Sequence, residues 1–286
     1  MGSIIWEQCI HKEAVLTLKE VDREKLSPMM LHYIETKEKY PDCILFYRLG
    51  DFYEMFFDDA LTVSKELEIT LTGKSCGLDE RAPMCGIPFH AVDAYLDRLV
   101  ALGHKVAICE QLEDPKTTKN IVKRDVIRVV TPGTNMNMQA LDEGKNNFLM
   151  SIVYFADTFG IAVTDVTTGD FFVTEVDSLR QLLDEISRYM PSEIISNPAF
   201  FLSGADLDDL RERLKIALNQ LDEDYFSDEK AIDILKKHFG VKELSQLGID
   251  NIEIGAHAAG ALLLYLTETQ KTDLSNLTRI SPYKNA

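Results

Sequence analysis

The stretch that decides the fold of the amino-terminal half lies at residues 43–56 and reads CILFYRLGDFYEMF. Its apolar first part, Cys43 to Tyr47, predicts a buried strand, and Gly50-Asp51 is a turn dipeptide. Because a second aromatic run follows the turn, the stretch predicts a β-hairpin. Phe52 and Glu54 are two residues apart, so their side chains point to the same side of the second strand, at the exposed end of the hairpin.

Two interpretations of Phe52 follow from the pattern alone. Exposed large aromatic side chains are the minority in folded proteins, so the pattern favours Phe52 in the core and Glu54 in solvent. The alternative keeps both side chains exposed at the hairpin tip, where an aromatic ring beside an acid needs a functional explanation.

Four sequence blocks carry a resemblance to a known family. They are Phe46 to Asp59, Pro83 to Val92, Val106 to Gln111 and Arg128 to Thr134. In this order and at this spacing they resemble the amino-terminal part of the MutS family, whose members recognise mismatches in DNA. The resemblance runs from about Ser27 to the end of the chain and is strongest through residue 134.

The resemblance implies a mechanism for the hairpin tip. In the family a Phe-x-Glu pair is the mismatch probe, and here it falls on Phe52 and Glu54, with Leu49 and Asp51 at the flanking family positions. Phe52 would enter the minor groove and unstack one base step, at a cost of about a few kcal/mol that a mismatch lowers. Stacking the ring on the exposed base would return about 1–3 kcal/mol. Glu54 would hydrogen-bond to the mispaired base, and selection would follow the deformability of the step.

The charge of the chain is uneven. Its 30 basic and 47 acidic side chains give a net charge of −17, which argues against nucleic-acid binding through bulk electrostatics. Residues 26–134 have a net charge of −4, whereas residues 135–286 have −12. Within the first range, residues 115–128 have a net charge of +4. The predicted phosphate contacts are Lys74, Lys123, Arg124 and Arg128.

The run Gly73-Lys74-Ser75 invites a phosphate-loop interpretation, which the sequence excludes. That motif needs a glycine five residues before the second one, and the position holds Glu68. Ile69 to Thr72 instead predicts a short strand that ends before Lys74. Because none of the histidines pairs with a serine or cysteine nucleophile motif, no enzyme is predicted.

Composition indicates an ordinary globular protein, with 45% apolar and 27% charged residues. No apolar stretch approaches the roughly 20 residues that span a bilayer, and residues 1–25 lack the apolar core of a signal peptide. Five cysteines occur without metal-ligand spacing, and Cys43, Cys85 and Cys109 lie in apolar runs. This usage predicts buried free thiols and a cytoplasmic protein, which the resemblance would associate with the nucleoid.

Length and patterning predict two α/β domains. We expect a flexible lead segment at residues 1–26, a small mixed-sheet mismatch-binding domain at 27–134 and a linker at 135–147. Residues 148–286 begin with three strands, followed by a helix and a parallel strand. This order resembles the ribonuclease-H-like fold of the family's connector domain.

That layout leaves a metal-dependent nuclease as an alternative function. A two-metal site needs carboxylates that converge on neighbouring strands. Here Asp157 and Asp170 fall at predicted turns, and Asp165 has no evident partner, so a solvated acidic face is favoured. A third possibility is an acidic protein-interaction module without a DNA role.

The resemblance covers only the first two domains of the family. The clamp, lever and ATPase regions would follow residue 286, so ATP and Mg²⁺ are implied for the full-length family proteins, and no cofactor or metal is expected here. The implied partners are mismatched double-stranded DNA, the MutL protein and a second copy in a homodimer, with no membrane. The connector domain is implied to relay to the ATPase region and to MutL.

Overall fold

The computed structural model describes residue 18 and residues 21–113, 122–136 and 146–284. These residues belong to two compact units that divide between Val129 and Val130. Most of the predicted lead segment, the middle of the predicted linker and residues 115–121 of the basic segment lie outside the described residues.

The first unit is built on a six-stranded mixed sheet. In chain order it contains α1 (Pro28–Lys39), β1 (Cys43–Leu49), β2 (Phe52–Phe56), α2 (Phe57–Leu67), β3 (Thr72–Ser75), β4 (Arg81–Pro88), α3 (Val92–Ala101), β5 (Lys105–Gln111) and β6 (Arg124–Val130). The strand order is β3-β4-β2-β1-β5-β6. Near the centre, β1 pairs antiparallel with β2 and parallel with β5. The predicted hairpin is therefore confirmed, and it organises the sheet.

A buried cluster of aromatic side chains fixes α1 against the sheet. The Tyr33 ring on α1 packs edge-on against Tyr47 and Phe56, at centroid distances of 5.4 and 4.8 Å. All three side chains are buried. Large aromatic side chains remove much apolar surface from water, so this cluster contributes strongly to the stability of the unit.

Asp59 ties the first turn of α2 to the start of the sheet. Its carboxylate accepts hydrogen bonds from the backbone N–H of Leu45 (2.9 Å) and from Lys37 Nζ (2.9 Å), and the Tyr33 hydroxyl lies 3.4 Å away. Burial raises the pKa of this carboxyl, and the Lys37 ammonium opposes that effect. A buried carboxylate with this many donors is a structural anchor.

Strand β3 lies further along the chain than predicted. The sequence predicts a strand at Ile69 to Thr72, but the strand begins at Thr72 and includes Lys74. The reason is tertiary: Glu68 ends α2 in a left-handed conformation (φ 56°). The chain first meets its partner strand at Thr72, opposite Met84. Pairing with β4 therefore overrides the local pattern.

The second unit contains its own mixed sheet. Its elements are β7 (Phe148–Phe155), β8 (Thr158–Asp165), β9 (Asp170–Val176), α4 (Leu179–Tyr189), β10 (Glu193–Ser196), β11 (Ala217–Gln220), α5 (Asp233–Phe239), α6 (Glu253–Gln270) and β12 (Ser281–Pro282). The strand order is β11-β10-β7-β8-β9-β12. Strands β7, β8 and β9 form an antiparallel meander, and β10 pairs parallel with β7. The predicted α/β layout of three strands, a helix and a parallel strand is confirmed.

The four cysteines that the structure describes in the first unit are buried thiols. Cys43, Cys76, Cys85 and Cys109 are all buried and form no disulfide. Burial raises the pKa of Cys43, Cys85 and Cys109 to about 12 in each case. These thiols are therefore protonated and unreactive at neutral pH, as the apolar runs around them predict.

Helix α6 packs backbone to backbone on its neighbours because it carries small residues. A Cβ added at Gly260 would lie 2.0 Å from the carbonyl oxygen of Ala231, and one added at Gly160 on β8 would lie 2.3 Å from that of Ile254. The run of glycine and alanine residues from Gly255 to Ala261 is typical of such a buried, closely packed helix. Among the described residues no helix, α6 included, is long and apolar enough to cross a membrane.

We expect Gly260→Ala to destabilise the second unit, because the new methyl group has no room against the Ala231 backbone. Overpacking of this kind costs about 1–3 kcal/mol. The measurement is chemical denaturation followed by circular dichroism. Thr267→Ala, at an exposed position of the same helix, is the control and should change the free energy of unfolding far less. Equal stability of Gly260→Ala and wild type would contradict the close approach.

Candidate nucleic-acid interface

The tip of the β1–β2 hairpin exposes an aromatic ring. Leu49 lies opposite Phe52 in the register, and Gly50 takes a positive φ of 57° in the turn. The Phe52 side chain is 46% exposed, whereas Phe56, on the same side of the same strand, is 1% exposed. The core position that the pattern alone favours for Phe52 is therefore wrong. The exposed position agrees with the alternative interpretation.

The side of β2 that carries Phe52 also carries Glu54, and the neighbouring strand leaves space between them. Glu54 lies opposite Gly86 of β4. A Cβ added at Gly86 would lie 3.7 Å from Phe52 Cδ1 and 3.8 Å from Glu54 Cγ. The ring and the acid thus flank a stretch of bare backbone. The sequence prediction does not include Gly86. The available signal is that an isolated glycine within a strand often marks the close approach of another group.

Glu54 is held by a cation on β3, which β4 separates from β2. Lys74 Nζ lies 2.5 Å from Glu54 Oε2. The two side chains are 32% and 15% exposed, so the pair is partly shielded from water. The same ammonium lies 5.7 Å from the centroid of the Phe56 ring. The structure therefore places the ammonium of Lys74, a predicted phosphate contact, in contact with the Glu54 carboxylate.

A network on the opposite side of the hairpin supports the turn. The Arg48 guanidinium donates through Nε to the Gly50 carbonyl (2.5 Å) and lies 3.9 Å from the centroid of the Phe89 ring. Its Nη1 lies 3.4 Å from Glu110 Oε1, to which the Tyr53 hydroxyl also donates. Burial, with the Glu110 contact, raises the pKa of Tyr53. Arginine stacking and charge-assisted hydrogen bonds make the tip a supported structure.

The two flanking candidates differ in their surroundings. Leu49 is half-buried and packs against the core of the first unit. Asp51 is exposed, and its carbonyl accepts a hydrogen bond from the Phe89 backbone N–H (2.9 Å). The hairpin therefore brings Leu49, Asp51, Phe52 and Glu54 together at one end of the sheet. The fifth predicted residue, Lys74, reaches Glu54 from β3 through its side chain.

The other three candidates lie on or beside β6, which β1 and β5 separate from β2. At about 4.8 Å per strand, this edge is roughly 14 Å from β2. Lys123 is exposed. Arg124 donates to the carbonyls of Arg48 (2.9 Å) and Val122 (3.0 Å), so much of its guanidinium serves the fold. Burial lowers the pKa of Arg128, which is half-buried.

The three acids considered for a nuclease do not come together, because Asp157 lies before β8, at the end opposite Asp165 and Asp170. Asp165 is buried, and its Oδ1 accepts hydrogen bonds from the backbone N–H (2.8 Å) and the hydroxyl (2.6 Å) of Thr167. Its Oδ2 accepts from the Asn147 backbone N–H (3.1 Å). Asp170, opposite Asp165 in the register, accepts from the Thr168 hydroxyl (2.8 Å). Within the described ranges no three acidic, histidine or cysteine side chains could together hold a metal ion.

We expect Phe52→Ala to lower the free energy of unfolding by less than about 1 kcal/mol, because half of the ring is already in water. The matched control is Phe56→Ala, which truncates a buried ring on the same side of the same strand and should cost about 3–5 kcal/mol. Thermal or urea unfolding of both variants gives the comparison. A similar large loss for both would place Phe52 in the core.

Comparison with known proteins matches the two units to two domains of one family. The description "MutS domain I" matches residues 27–139, and "MutS domain II" matches residues 147–278. Three relatives named DNA mismatch repair protein MutS come from Lachnoclostridium phytofermentans, Ruminiclostridium cellulolyticum and Acetivibrio thermocellus. They are 58%, 50% and 48% identical over 259, 261 and 262 residues, which is 91%, 90% and 91% of this chain. The chain spans 28%, 30% and 30% of their respective lengths. The chain belongs to the MutS family, and domain I and domain II of that family follow one another in it.

Proposed function

We propose that the first unit recognises mismatched or unpaired bases in duplex DNA. Phe52 enters the minor groove next to the mispaired base, and Glu54 hydrogen-bonds to that base. The observation that carries the proposal is the exposed Phe52 ring at a supported hairpin tip, with Glu54 beside it across bare Gly86. The names of the relatives, which are DNA mismatch repair proteins, support the same assignment.

The proposed discrimination is mechanical. Inserting a ring between two base pairs costs about a few kcal/mol for an intact step and less for a mismatched one. Stacking on the exposed base returns about 1–3 kcal/mol in either case. The difference selects deformable steps without reading the sequence. The Arg48 network on the other side of the hairpin supports this proposal, because a wedge must resist the stacked bases.

Glu54 adds a chemical condition. An ionised carboxylate accepts hydrogen bonds and cannot donate one to the acceptor atoms of a base. An ionised Glu54 can therefore bond only to a donor group of a displaced base, and it repels phosphates. Both effects favour a displaced base over an intact duplex, which is a contribution to specificity through repulsion.

The second unit is the proposed link to the remaining functions of the family. It has a separate sheet and core, and residues 135–286 have a net charge of −12, which suits protein contacts better than DNA contacts. We assign to it the relay to an ATPase region and to MutL. Within the same proposal, ATP, Mg²⁺ and homodimer formation belong to the full-length family proteins.

The direct test is binding of the chain to a duplex with one unpaired thymine and to the matched duplex, measured by fluorescence anisotropy at low salt. We expect tighter binding to the unpaired thymine, and we expect Phe52→Ala to remove that preference. Phe155→Ala truncates a 67% exposed ring in the second unit and is the matched control, which should keep the preference. Equal affinity of the wild type for both duplexes would refute the proposed function.

The salt dependence of binding gives a separate expectation. Because residues 26–134 have a net charge of −4 and Arg124 donates to backbone carbonyls, few phosphates should be neutralised. About two to four phosphate contacts predict a slope of log K against log salt between roughly −2 and −4. Titrations over a series of salt concentrations measure this slope. A much steeper slope would mean that bulk electrostatics, and not the wedge, dominates binding.

A further inference from the structure

We infer that Lys74 is a positioning residue for the mismatch probe, acting on the DNA through the Glu54 carboxylate and not through a phosphate. The inference rests on the proposed function and extends it to a residue on a different strand. It also changes the assignment of Lys74 that the sequence predicts, which is a phosphate contact.

The topology brings the two side chains together across a strand. In the order β3-β4-β2, Lys74 on β3 lies opposite Ala82, and Glu54 on β2 lies opposite Gly86. Ala82 and Gly86 are four residues apart on β4, so the Lys74 side chain extends along the sheet to reach Glu54. Its ammonium lies 5.7 Å from the centroid of the Phe56 ring, which lies opposite Met84 between those two positions. Phe56 thereby guides the ammonium towards the acid.

The contact uses one of the two carboxylate oxygens. Lys74 Nζ bonds to Glu54 Oε2 at 2.5 Å, and within the described ranges Oε1 has no hydrogen-bond partner. A carboxylate held through one oxygen loses rotamer freedom before any ligand arrives, which lowers the entropic cost of binding. Oε1 is then the atom available to a displaced base.

The charges around Glu54 make Lys74 the cation that governs it. Across β1, Tyr47 lies opposite Glu54, but its hydroxyl is engaged by His32 Nδ1 at 2.8 Å. Arg124 lies 5.4 Å from the Tyr47 ring and donates to backbone carbonyls. At the tip, the exposed Asp51 is a second acid. Lys74 is the cation bonded to the probe, and it offsets the charge of Glu54 in the position where DNA phosphates approach.

Removal of this cation should weaken the mismatched complex more than the matched one. Phe52 and Glu54 enter the groove only in the mismatched complex. Without Lys74, the charge of the Glu54 carboxylate is not offset and its orientation is not fixed when it is pressed against DNA there. Lys74→Met should therefore reduce the ratio of mismatched to matched affinity. A phosphate contact behaves differently, since its loss weakens binding to every duplex uniformly and reduces the salt slope by about 0.9.

The experiment is a double-mutant cycle on the affinity ratio for an unpaired-thymine duplex and a matched duplex. The proteins are wild type, Lys74→Met, Glu54→Gln and the double variant, each checked by thermal unfolding. We expect Lys74→Met to lower the ratio at least about threefold in wild type and to leave it unchanged in the Glu54→Gln background. Lys74→Arg should retain much of the ratio, and Lys65→Met removes an exposed charge on α2 as the control.

The outcomes separate the two claims. A wild type without any mismatch preference would refute the proposed function and this inference with it. The role of Lys74 alone would be overturned if the wild type prefers the mismatched duplex but Lys74→Met has equal effects in both backgrounds. A salt slope reduced by about 0.9 in Lys74→Met would overturn it as well. If Lys74→Met unfolds, the same cycle with Lys74→Gln, or with Lys74→Arg as a partial change, decides the question.

Discussion

The antiparallel pairing of β1 with β2 is the constraint on which the first unit depends. With Leu49 opposite Phe52, the alternation of side chains places Phe56 under Tyr33 in the core and Glu54 opposite Gly86. A slip of one residue would exchange the two faces of the strand. It would move Phe52, Glu54 and Phe56 to the face that now carries Tyr53 and Met55. The core and the candidate interface are therefore fixed by the same register.

The sequence predicts what local chemistry determines. The hairpin follows from an apolar run and a Gly-Asp turn, and the buried helix α6 follows from its small residues. The exposure of Phe52 does not follow, because it depends on which end of the sheet α1 leaves uncovered. The contact of Lys74 with Glu54 does not follow from the sequence either, because the position of β3 depends on its pairing with β4. The choice of Phe52 and Glu54 came from family resemblance, and the structure adds the geometry between them.

In the proposed recognition, the shape of the wedge discriminates between duplexes, and charge has a smaller role. An acidic chain gains little from phosphate contacts, so the proposed wedge must supply the discrimination through the deformability of the base step. The acid of the probe would itself oppose DNA, and its pairing with Lys74 offsets that charge while fixing one oxygen. On the opposite side, Arg48 braces the turn against Phe89 and Glu110. The hairpin is thus supported from both sides of the sheet.

In the proposed function, the side chain at position 52 contacts the mispaired base. The most direct measurement is photo-crosslinking with p-benzoylphenylalanine in place of Phe52, using a duplex with one unpaired thymine. The same substitution at Phe155 is the control for non-specific labelling. We expect an adduct at the unpaired thymine or its neighbouring step from position 52, and none from position 155. Adducts spread evenly along the duplex from position 52, or no adduct there, would contradict it.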